Sequence, residues 1–319
     1  MTTAQATNDR SPPPEAAPLI LDVKGNALDD GPGIRSVVFF KGCPLACVWC
    51  HNPESKRALP ELAFDVKACT GCEACLAVCE AGALARRNPG YVDRRICRQC
   101  FACAAVCPSG ALEQVGQVMP VEGLIEKLLR DKPFYDTSGG GVTFSGGEPT
   151  LFMPYLSSLA ATLQAVGVST LLETCGHFDG ERFEALVLPH LDAIYFDLKL
   201  FDRELHKRYC GLPNDRILAN FLRLGALSRG NHFALLPRIP LIPGLTATRT
   251  NMRAWAAFLK THRIGQVKLL AYNPLWPAKA ARIGEDNPHA ATATLQDWMP
   301  PADVARLEGL FHEAGIETL

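Results

Sequence analysis

The chain has 319 residues, of which 48% are hydrophobic and 20% charged, proportions that exclude a disordered or fibrous protein. This length suits one large domain, or a domain with a small insert. Lysine and arginine number 32 and aspartate and glutamate 33, so the net charge of −1 does not indicate a nucleic-acid or acidic-membrane partner. No stretch approaches the ~18 uninterrupted apolar residues of a membrane span. Segment 1–17 lacks the basic and apolar regions of a secretory signal and is predicted to be a disordered tail.

Two strands and a cysteine-rich segment are predicted in the first third of the chain. Apolar runs predict strands at 19–25 and 36–40. The segment 63–118 has few periodic patterns and lies between Pro60 and Pro120. It contains two cysteine quartets with the same internal spacing. We expect 63–118 to be an inserted domain with a small core, which bound metal helps to fold.

Helices and strands alternate through the rest of the sequence. Helices are predicted at 121–129, 154–166, 181–187, 216–228, 251–261 and 302–314. Strands are predicted between them, at 141–145, 169–173, 193–200, 232–239 and 266–271. With strand 36–40 these make six βα units, so the predicted fold class is α/β, with a parallel sheet in a partial (β/α)6 barrel built from 18–62 and 119–319. Polar and reactive residues follow the carboxyl ends of the strands, where such proteins bind ligands.

The cysteines are clustered, and clustered cysteines without an export signal favour metal binding in the reducing cytoplasm, where we expect the protein. Both quartets have the bacterial ferredoxin spacing C-x2-C-x2-C-x3-C, in which the fourth cysteine of each run binds the other cluster. The pattern predicts two [4Fe–4S] clusters, held by Cys69, Cys72, Cys75 and Cys107 and by Cys97, Cys100, Cys103 and Cys79. The alternative is two structural zinc sites, but zinc favours cysteine pairs separated by a longer spacer.

The triplet of Cys43, Cys47 and Cys50 indicates a different kind of metal centre. Three thiolates can hold a [4Fe–4S] cube only by leaving one iron without a protein ligand, and that iron is free to bind a substrate. The spacing C-x3-C-x-(aromatic)-C, with Trp49 as the aromatic residue, resembles the signature of the radical S-adenosylmethionine (SAM) superfamily. The alternative is three unrelated cysteines in a loop.

Three further motifs narrow this resemblance. They are the Asp-Gly-Pro-Gly-Ile-Arg stretch at 30–35, the His-Asn-Pro at 51–53, and the glycine-rich segment 138–149, which ends in Gly-Gly-Glu-Pro. Together with the triplet and the quartets, they resemble the glycyl-radical-enzyme activating enzymes of the pyruvate formate-lyase activating enzyme type. The branch is the one whose radical SAM barrel carries an inserted α+β ferredoxin-like domain with two [4Fe–4S] clusters. The resemblance extends from about residue 19 to the end of the chain.

The resemblance implies an anaerobic oxidoreductase with three [4Fe–4S] clusters and SAM. Its reduced cluster, held by Cys43, Cys47 and Cys50 at the catalytic centre, cleaves SAM to methionine and a 5′-deoxyadenosyl radical. That radical removes hydrogen from a backbone glycine of a partner, a glycyl radical enzyme. The insert is expected to relay electrons from an external flavodoxin or ferredoxin.

The resemblance also assigns roles to single residues. Gly146, Gly147 and Glu148 match the stretch that holds the SAM amino group, and Glu148 can accept a hydrogen bond from an ammonium group. Glu173 matches an acidic residue that binds the SAM ribose side or a monovalent cation, with the cation expected near Glu173, Thr174 and Asp197. Other matches are Asp197, Lys199 and Arg238 at the SAM carboxylate, and Asp30 and Arg35 where the partner's glycine loop enters.

One position departs from the family pattern. Asn273 stands where family members often have a histidine near SAM, and an amide cannot titrate near neutral pH. A proton-transfer role is therefore not expected there. Cys175 and Cys210 are expected to be buried small hydrophobic residues, and His51 either tunes the neighbouring cluster or caps a turn.

Two other functions are compatible with parts of the sequence. A polyferredoxin electron carrier explains the quartets but leaves Gly-Gly-Glu-Pro, Glu173 and the Asp197–Lys199 pair without a role. A radical SAM enzyme that acts on a small molecule or peptide explains the triplet. The Asp-Gly-Pro-Gly-Ile-Arg stretch argues against it, as does the lack of a large substrate domain after residue 276.

Overall fold

A mixed nine-stranded sheet forms the centre of the computed structural model, which describes residues 17–230 and 233–319. The strands along the chain are β1 (Leu19–Ala27), β2 (Arg35–Lys41), β3 (Glu61–Phe64), β4 (Leu112–Val115), β5 (Gln117–Val118), β6 (Gly141–Gly146), β7 (Ser169–Thr174), β8 (Ala193–Asp197), β9 (Ala234–Leu241), β10 (Gln266–Ala271) and β11 (Glu317–Thr318). Their order in the large sheet is β11-β10-β9-β8-β7-β6-β2-β1-β5, while β3 and β4 pair separately.

The six predicted parallel strands are confirmed. Strand β2 pairs in parallel with β6, and parallel pairing continues through β7, β8, β9 and β10. The first strand, β1, is antiparallel to β2 and adds the short β5 at its outer edge. Strand β8 ends at Asp197, earlier than the predicted 200, and residue 232 of the predicted strand 232–239 lies outside the described residues. Most of the predicted tail, 1–16, also lies outside them.

Eleven α-helices lie in the described residues, and most of them connect the parallel strands. They are α1 (Ala74–Ala77), α2 (Ala102–Ala105), α3 (Val121–Leu129), α4 (Lys132–Ser138), α5 (Met153–Ala165), α6 (Gly180–Leu186), α7 (Arg203–Cys210), α8 (Asp215–Ser228), α9 (Arg249–Thr261), α10 (Trp276–Arg282) and α11 (Pro301–His312). All six predicted helices are present. The prediction did not include α1 and α2, which have four residues each, or α4, α7 and α10, which have seven or eight.

The main core lies on both faces of the sheet. Phe144 on β6 and Ile194 on β8 are fully buried, and they share one apolar cluster with Phe183, Phe221 and Trp255 of the helices. Strands buried on both faces read as nearly continuous apolar runs, which is why their sequences were easy to recognise.

The cysteine-rich segment contains little regular structure. Its antiparallel pair, β3 with β4, starts at Glu61 and ends at Val115, and Gln117–Val118 already belongs to the edge of the large sheet. Helices α1 and α2 follow residues in the same left-handed conformation, Glu73 at φ 61° and Phe101 at φ 59°. The sequence repeat is therefore also a structural repeat. In the described parts of the chain, no helix has both the length and the apolar character needed to span a membrane.

Candidate active site

A cavity of about 220 Å³ lies at the carboxyl ends of the parallel strands. Ten of the residues predicted to bind the cluster or SAM line it, namely Cys43, Cys47, Trp49, Cys50, Gly146, Gly147, Glu173, Asp197, Lys199 and Arg238. They come from five strand ends separated by about 200 residues of sequence. Apolar residues complete the wall, among them Leu45, Pro240, Ile242 and Leu270.

The triplet lies in a loop without regular secondary structure, yet its backbone is fixed on both sides. The amide of Gly42 donates to Ser55 O at 2.7 Å, and that of Cys43 to Lys56 O at 3.1 Å. Trp49 is 3% exposed and anchors the loop in the main core. Burial raises the pKa of the Cys50 thiol to about 12, while a side-chain hydrogen bond from Cys210 lowers that of Cys47 to about 7.

Gly146 and Gly147 allow strand β6 to pass directly against this loop. A Cβ on Gly147 would lie 2.1 Å from Gly42 O, and one on Gly146 would lie 2.5 Å from Phe40 N. Gly146 also has φ +100°, in the region that side chains disfavour. Two amide hydrogen bonds of 2.8 Å, from Gly147 to Phe40 O and from Glu148 to Gly42 O, hold the contact. The glycines therefore place polar backbone at the cavity, beside the cysteines.

The Glu148 carboxylate is placed differently from the expectation, because it faces the protein interior. Glu148 is fully buried and does not line the cavity. Its oxygens accept from Thr150 Oγ1 at 2.7 Å, Thr174 Oγ1 at 2.9 Å and the amide of Cys175 at 2.7 Å. The carboxylate thus ties the end of β6 to the end of β7, and its hydrogen-bonding capacity is used within the protein.

Four charged side chains form a network on the wall of the cavity, namely Glu173, Asp197, Lys199 and Arg238. Arg238 bridges Glu173 and Asp197, with 2.8 Å from its Nη2 to Asp197 Oδ1, and Lys199 Nζ lies 3.3 Å from Asp197 Oδ2. Burial alone raises the pKa of Asp197, but Arg238 and Lys199 outweigh it, so the net shift is downward. Ser145 Oγ donates to Glu173 at 2.6 Å. The wall therefore presents two cations whose partners are fixed carboxylates.

Asp30 and Arg35 do not line the cavity, and Arg35 begins β2, at the amino ends of the parallel strands. Arg35 is 1% exposed, and its guanidinium donates to Thr143 Oγ1 and Val142 O, both at 2.7 Å. Thr143 Oγ1 donates in turn to Asp30 O at 2.7 Å, which fixes the 30–35 loop. Burial and then the charge of Glu173 raise the pKa of Asp30, so this half-buried carboxyl lies electrostatically close to the charged network.

Asn273 and His51 have contrasting surroundings. Asn273 accepts from the amide of Leu275 at 3.4 Å, as in a turn cap, and does not line the cavity. His51 does line it, and its Nε2 has no hydrogen-bond partner among the described residues. Burial and the nearby Lys279 lower the pKa of His51 to about 4, so the imidazole is neutral. Its position beside Cys50 was the only signal for it in the sequence.

The quartet cysteines surround two separate cavities. One, of about 980 Å³, is lined by Cys69, Cys72, Cys75 and Cys107, and the other, of about 300 Å³, by Cys79, Cys97, Cys100 and Cys103. Backbone amides donate to two of the sulfurs, Ala83 to Cys79 at 3.3 Å and Leu112 to Cys107 at 3.4 Å. Across 17–230 and 233–319, no three His, Cys, Asp or Glu side chains form a ready site for a single metal ion.

Comparison with known proteins assigns the family. The family model described as "Radical SAM superfamily" matches residues 37–251. A trans-4-hydroxy-L-proline dehydratase activating enzyme from Clostridioides difficile is 38% identical over 83% of this chain and 88% of its own length. A benzylsuccinate synthase activating enzyme from Thauera aromatica is 40% identical over 84% of this chain and 82% of its length.

A solved structure supports the fold at lower similarity. A radical SAM methyltransferase from Sphaerobacter thermophilus aligns with a TM-score of 0.50 over 94% of this chain and 76% of its own, at 13% identity. This likeness bears on the fold alone. From the matching family model and the activating enzymes at 31–40% identity, the chain belongs to the radical SAM superfamily and, within it, to the glycyl-radical-enzyme activating enzymes.

Proposed function

We propose that this protein activates a glycyl radical enzyme and that the reaction takes place in the 220 Å³ cavity, where Cys43, Cys47 and Cys50 hold a [4Fe–4S] cluster. The observation that carries the proposal is that the three cysteines, the backbone of Gly146 and Gly147, and the charged network all line one cavity. When bound, the reduced cluster supplies one electron that cleaves the S–C5′ bond of SAM, and the resulting 5′-deoxyadenosyl radical takes hydrogen from the partner's glycine.

The protein's own residues bind and orient SAM. In this proposal, backbone carbonyls at Gly146 and Gly147 accept from the SAM ammonium group, and the inward-facing Glu148 positions that backbone rather than binding SAM itself. Lys199 and Arg238 face the SAM carboxylate, and Glu173, Thr174 and Asp197 provide oxygens for a monovalent cation. The apolar wall excludes water from a reactive radical.

In this proposal, the partner's glycine loop enters beside the loop 30–35. Arg35 acts as a positioning residue, since its guanidinium donates to Thr143 and to the backbone carbonyls of Val142, Ser169 and Pro32. Asp30 lies half-buried toward Glu173, where it can contact an incoming backbone. The partner class matches that of the relatives, which are named as activators of dehydratases, lyases, decarboxylases and synthases.

Segment 63–118 is proposed to be a ferredoxin-like domain with two [4Fe–4S] clusters, inserted into a partial (β/α)6 barrel formed by 18–62 and 119–319. The division of the eight cysteines between two cavities supports the two ligand sets, including the exchange of Cys79 and Cys107. These clusters relay electrons from a cytoplasmic flavodoxin or ferredoxin. Cys100→Ala should slow reduction by that donor while SAM cleavage with dithionite persists, and full-rate reduction by the donor would contradict the relay.

The function is tested with anaerobically reconstituted protein, SAM and a reductant. We expect 5′-deoxyadenosine and methionine in equal amounts, and a glycyl EPR signal on a glycyl radical enzyme encoded next to this chain. Intact SAM under strong reductant would overturn the proposal. SAM cleavage without a signal on any candidate partner would favour a small-molecule or peptide substrate instead.

A further inference from the structure

Cys175 and Cys210 belong to neither the triplet nor the quartets, and both lie against the triplet. A side-chain hydrogen bond with Cys43 contributes, after burial, to the raised pKa of Cys175, and one with Cys210 lowers the pKa of Cys47. Both are buried, at 6% and 0% exposure, as the sequence predicts. What the sequence did not predict is that each buried thiol belongs to a residue that lies beside a cysteine of the triplet.

The backbone fixes the contact between Cys210 and Cys47. The amide of Ala46 donates to Cys210 O at 2.7 Å, and the amide of Val48 donates to Tyr209 O at 3.0 Å. Cys47 is therefore held from both sides against the last turn of α7. The helix ends at Gly211, which has φ +90° and whose missing side chain leaves room for Ala46. The docking of these two backbone segments places Cys210 beside Cys47.

Cys175 reaches the triplet from the other side. Its amide donates to Glu148 Oε2 at 2.7 Å, which fixes the residue at the end of β7. Cys175 lines the cavity and Cys210 does not, so one thiol lies on the cavity side of the triplet and the other behind it. A thiol is a weak hydrogen-bond donor, and hydrogen bonds to the sulfurs of an iron–sulfur cluster help to set its reduction potential.

We propose that Cys210 and Cys175 are positioning residues whose S–H groups donate to the sulfurs of Cys47 and Cys43 when these hold the cluster, and so raise its reduction potential. The inference rests on the proposed function, because it requires a cluster on the triplet. The physical reason is that the cluster gains negative charge on reduction, and a donor beside a ligand sulfur stabilises that charge where water is excluded.

The experiment compares Cys210→Ala with Cys210→Ser in the intact, reconstituted protein. Redox titration follows the EPR component that changes when SAM is added, which separates this cluster from those of the insert. We expect a more negative midpoint potential in C210A and a potential near that of the wild type in C210S, because serine retains a donor. Iron content should be unchanged in both variants.

Equal potentials in wild type, C210A and C210S would overturn the inference. Loss of the SAM-sensitive signal from both variants would do the same, since Cys210 would then be a ligand or a purely structural residue. Should C210A fail to fold, the pair C175A and C175S makes the same comparison with the same expected shift. A wild-type protein without any SAM-sensitive signal would contradict the proposed function rather than this inference.

Discussion

The triplet loop and the quartet loops are all rich in cysteine and poor in regular secondary structure, but they are stabilised in different ways. The triplet loop packs against the main core, with Trp49 buried and the loop amides bonded to residues distant in sequence. In the quartet loops Cys69, Cys72 and Cys100 are exposed, and only a small separate core, including Leu62, supports them.

This contrast indicates which part of the protein is folded before metal binds. The open coordination site of the triplet requires a rigid frame, because a ligand exchanged during the reaction must be held in one orientation. The quartets supply all four ligands of each predicted cluster, so the cluster itself can organise the loops, as metal does in small domains.

The largest effect is expected from removing one ligand of the triplet. Cys50→Ala should abolish SAM cleavage and reduce bound iron by about a third, because two thiolates do not hold the cube that binds SAM. Cys100→Ala, in the insert, is the matched variant and should still cleave SAM when dithionite replaces the protein donor. Iron analysis and 5′-deoxyadenosine yield measure both. An equal loss of SAM cleavage in the two variants would contradict the distinction between the triplet and the insert.

The second-largest effect is expected from removing the metal, which should lower protection in the insert but not in the main sheet. After anaerobic chelation, amides between 65 and 111 should exchange rapidly, since structural metal in small domains contributes ~10 kcal/mol of folding free energy. Amides of β6 to β9 should retain their protection because the apolar core holds them. Hydrogen exchange with mass spectrometry measures both regions in one sample, and protection that persists in the insert would show a core sufficient without metal.

A smaller, local effect is expected at Gly147, where the end of β6 packs against the triplet loop. In Gly147→Ala the new Cβ would collide with Gly42 O at 2.1 Å, so the strand must move away from the triplet loop. A displacement of this size at a reacting centre lowers rates by ~10²-fold. Gly265→Ala, with open space around the new Cβ, is the control and should retain activity. Turnover and SAM affinity are measured, and normal values in G147A would contradict the close packing.

The smallest effect concerns pH. Burial lowers the pKa of His206, on α7 behind the triplet, to about 4, below its ordinary 6.5, although a hydrogen bond to Leu212 O opposes this. The unfolded chain then binds more protons between these values, so stability falls as pH drops from 6.5 toward 4. Segment 61–118 contains no histidine and should lack this dependence.

His206→Gln tests that pH dependence. The acid-induced loss of protection around α7, of order 1–3 kcal/mol, should flatten in the variant. Hydrogen exchange at pH 7 and pH 5 gives the comparison, with the insert as internal reference. An unchanged pH profile in H206Q would assign the acid sensitivity to other groups.

Residue spacing alone predicted much of the site and the fold. The intervals within the triplet and quartets reflect how closely a short loop can wrap a cluster, and the apolar runs of β2, β6 and β7 reflect burial on both faces. Ten of the predicted residues meet at one cavity because parallel strands end at one edge of the sheet.

Only the tertiary structure decided the contacts between segments distant in the chain. The inward turn of the Glu148 carboxylate depends on Thr174 and Cys175, and the contact of Cys210 with Cys47 depends on where α7 ends. Local spacing encodes which side chains a single loop can bring together. The direction of a buried polar side chain is set by partners that folding supplies from elsewhere, and no local pattern records them.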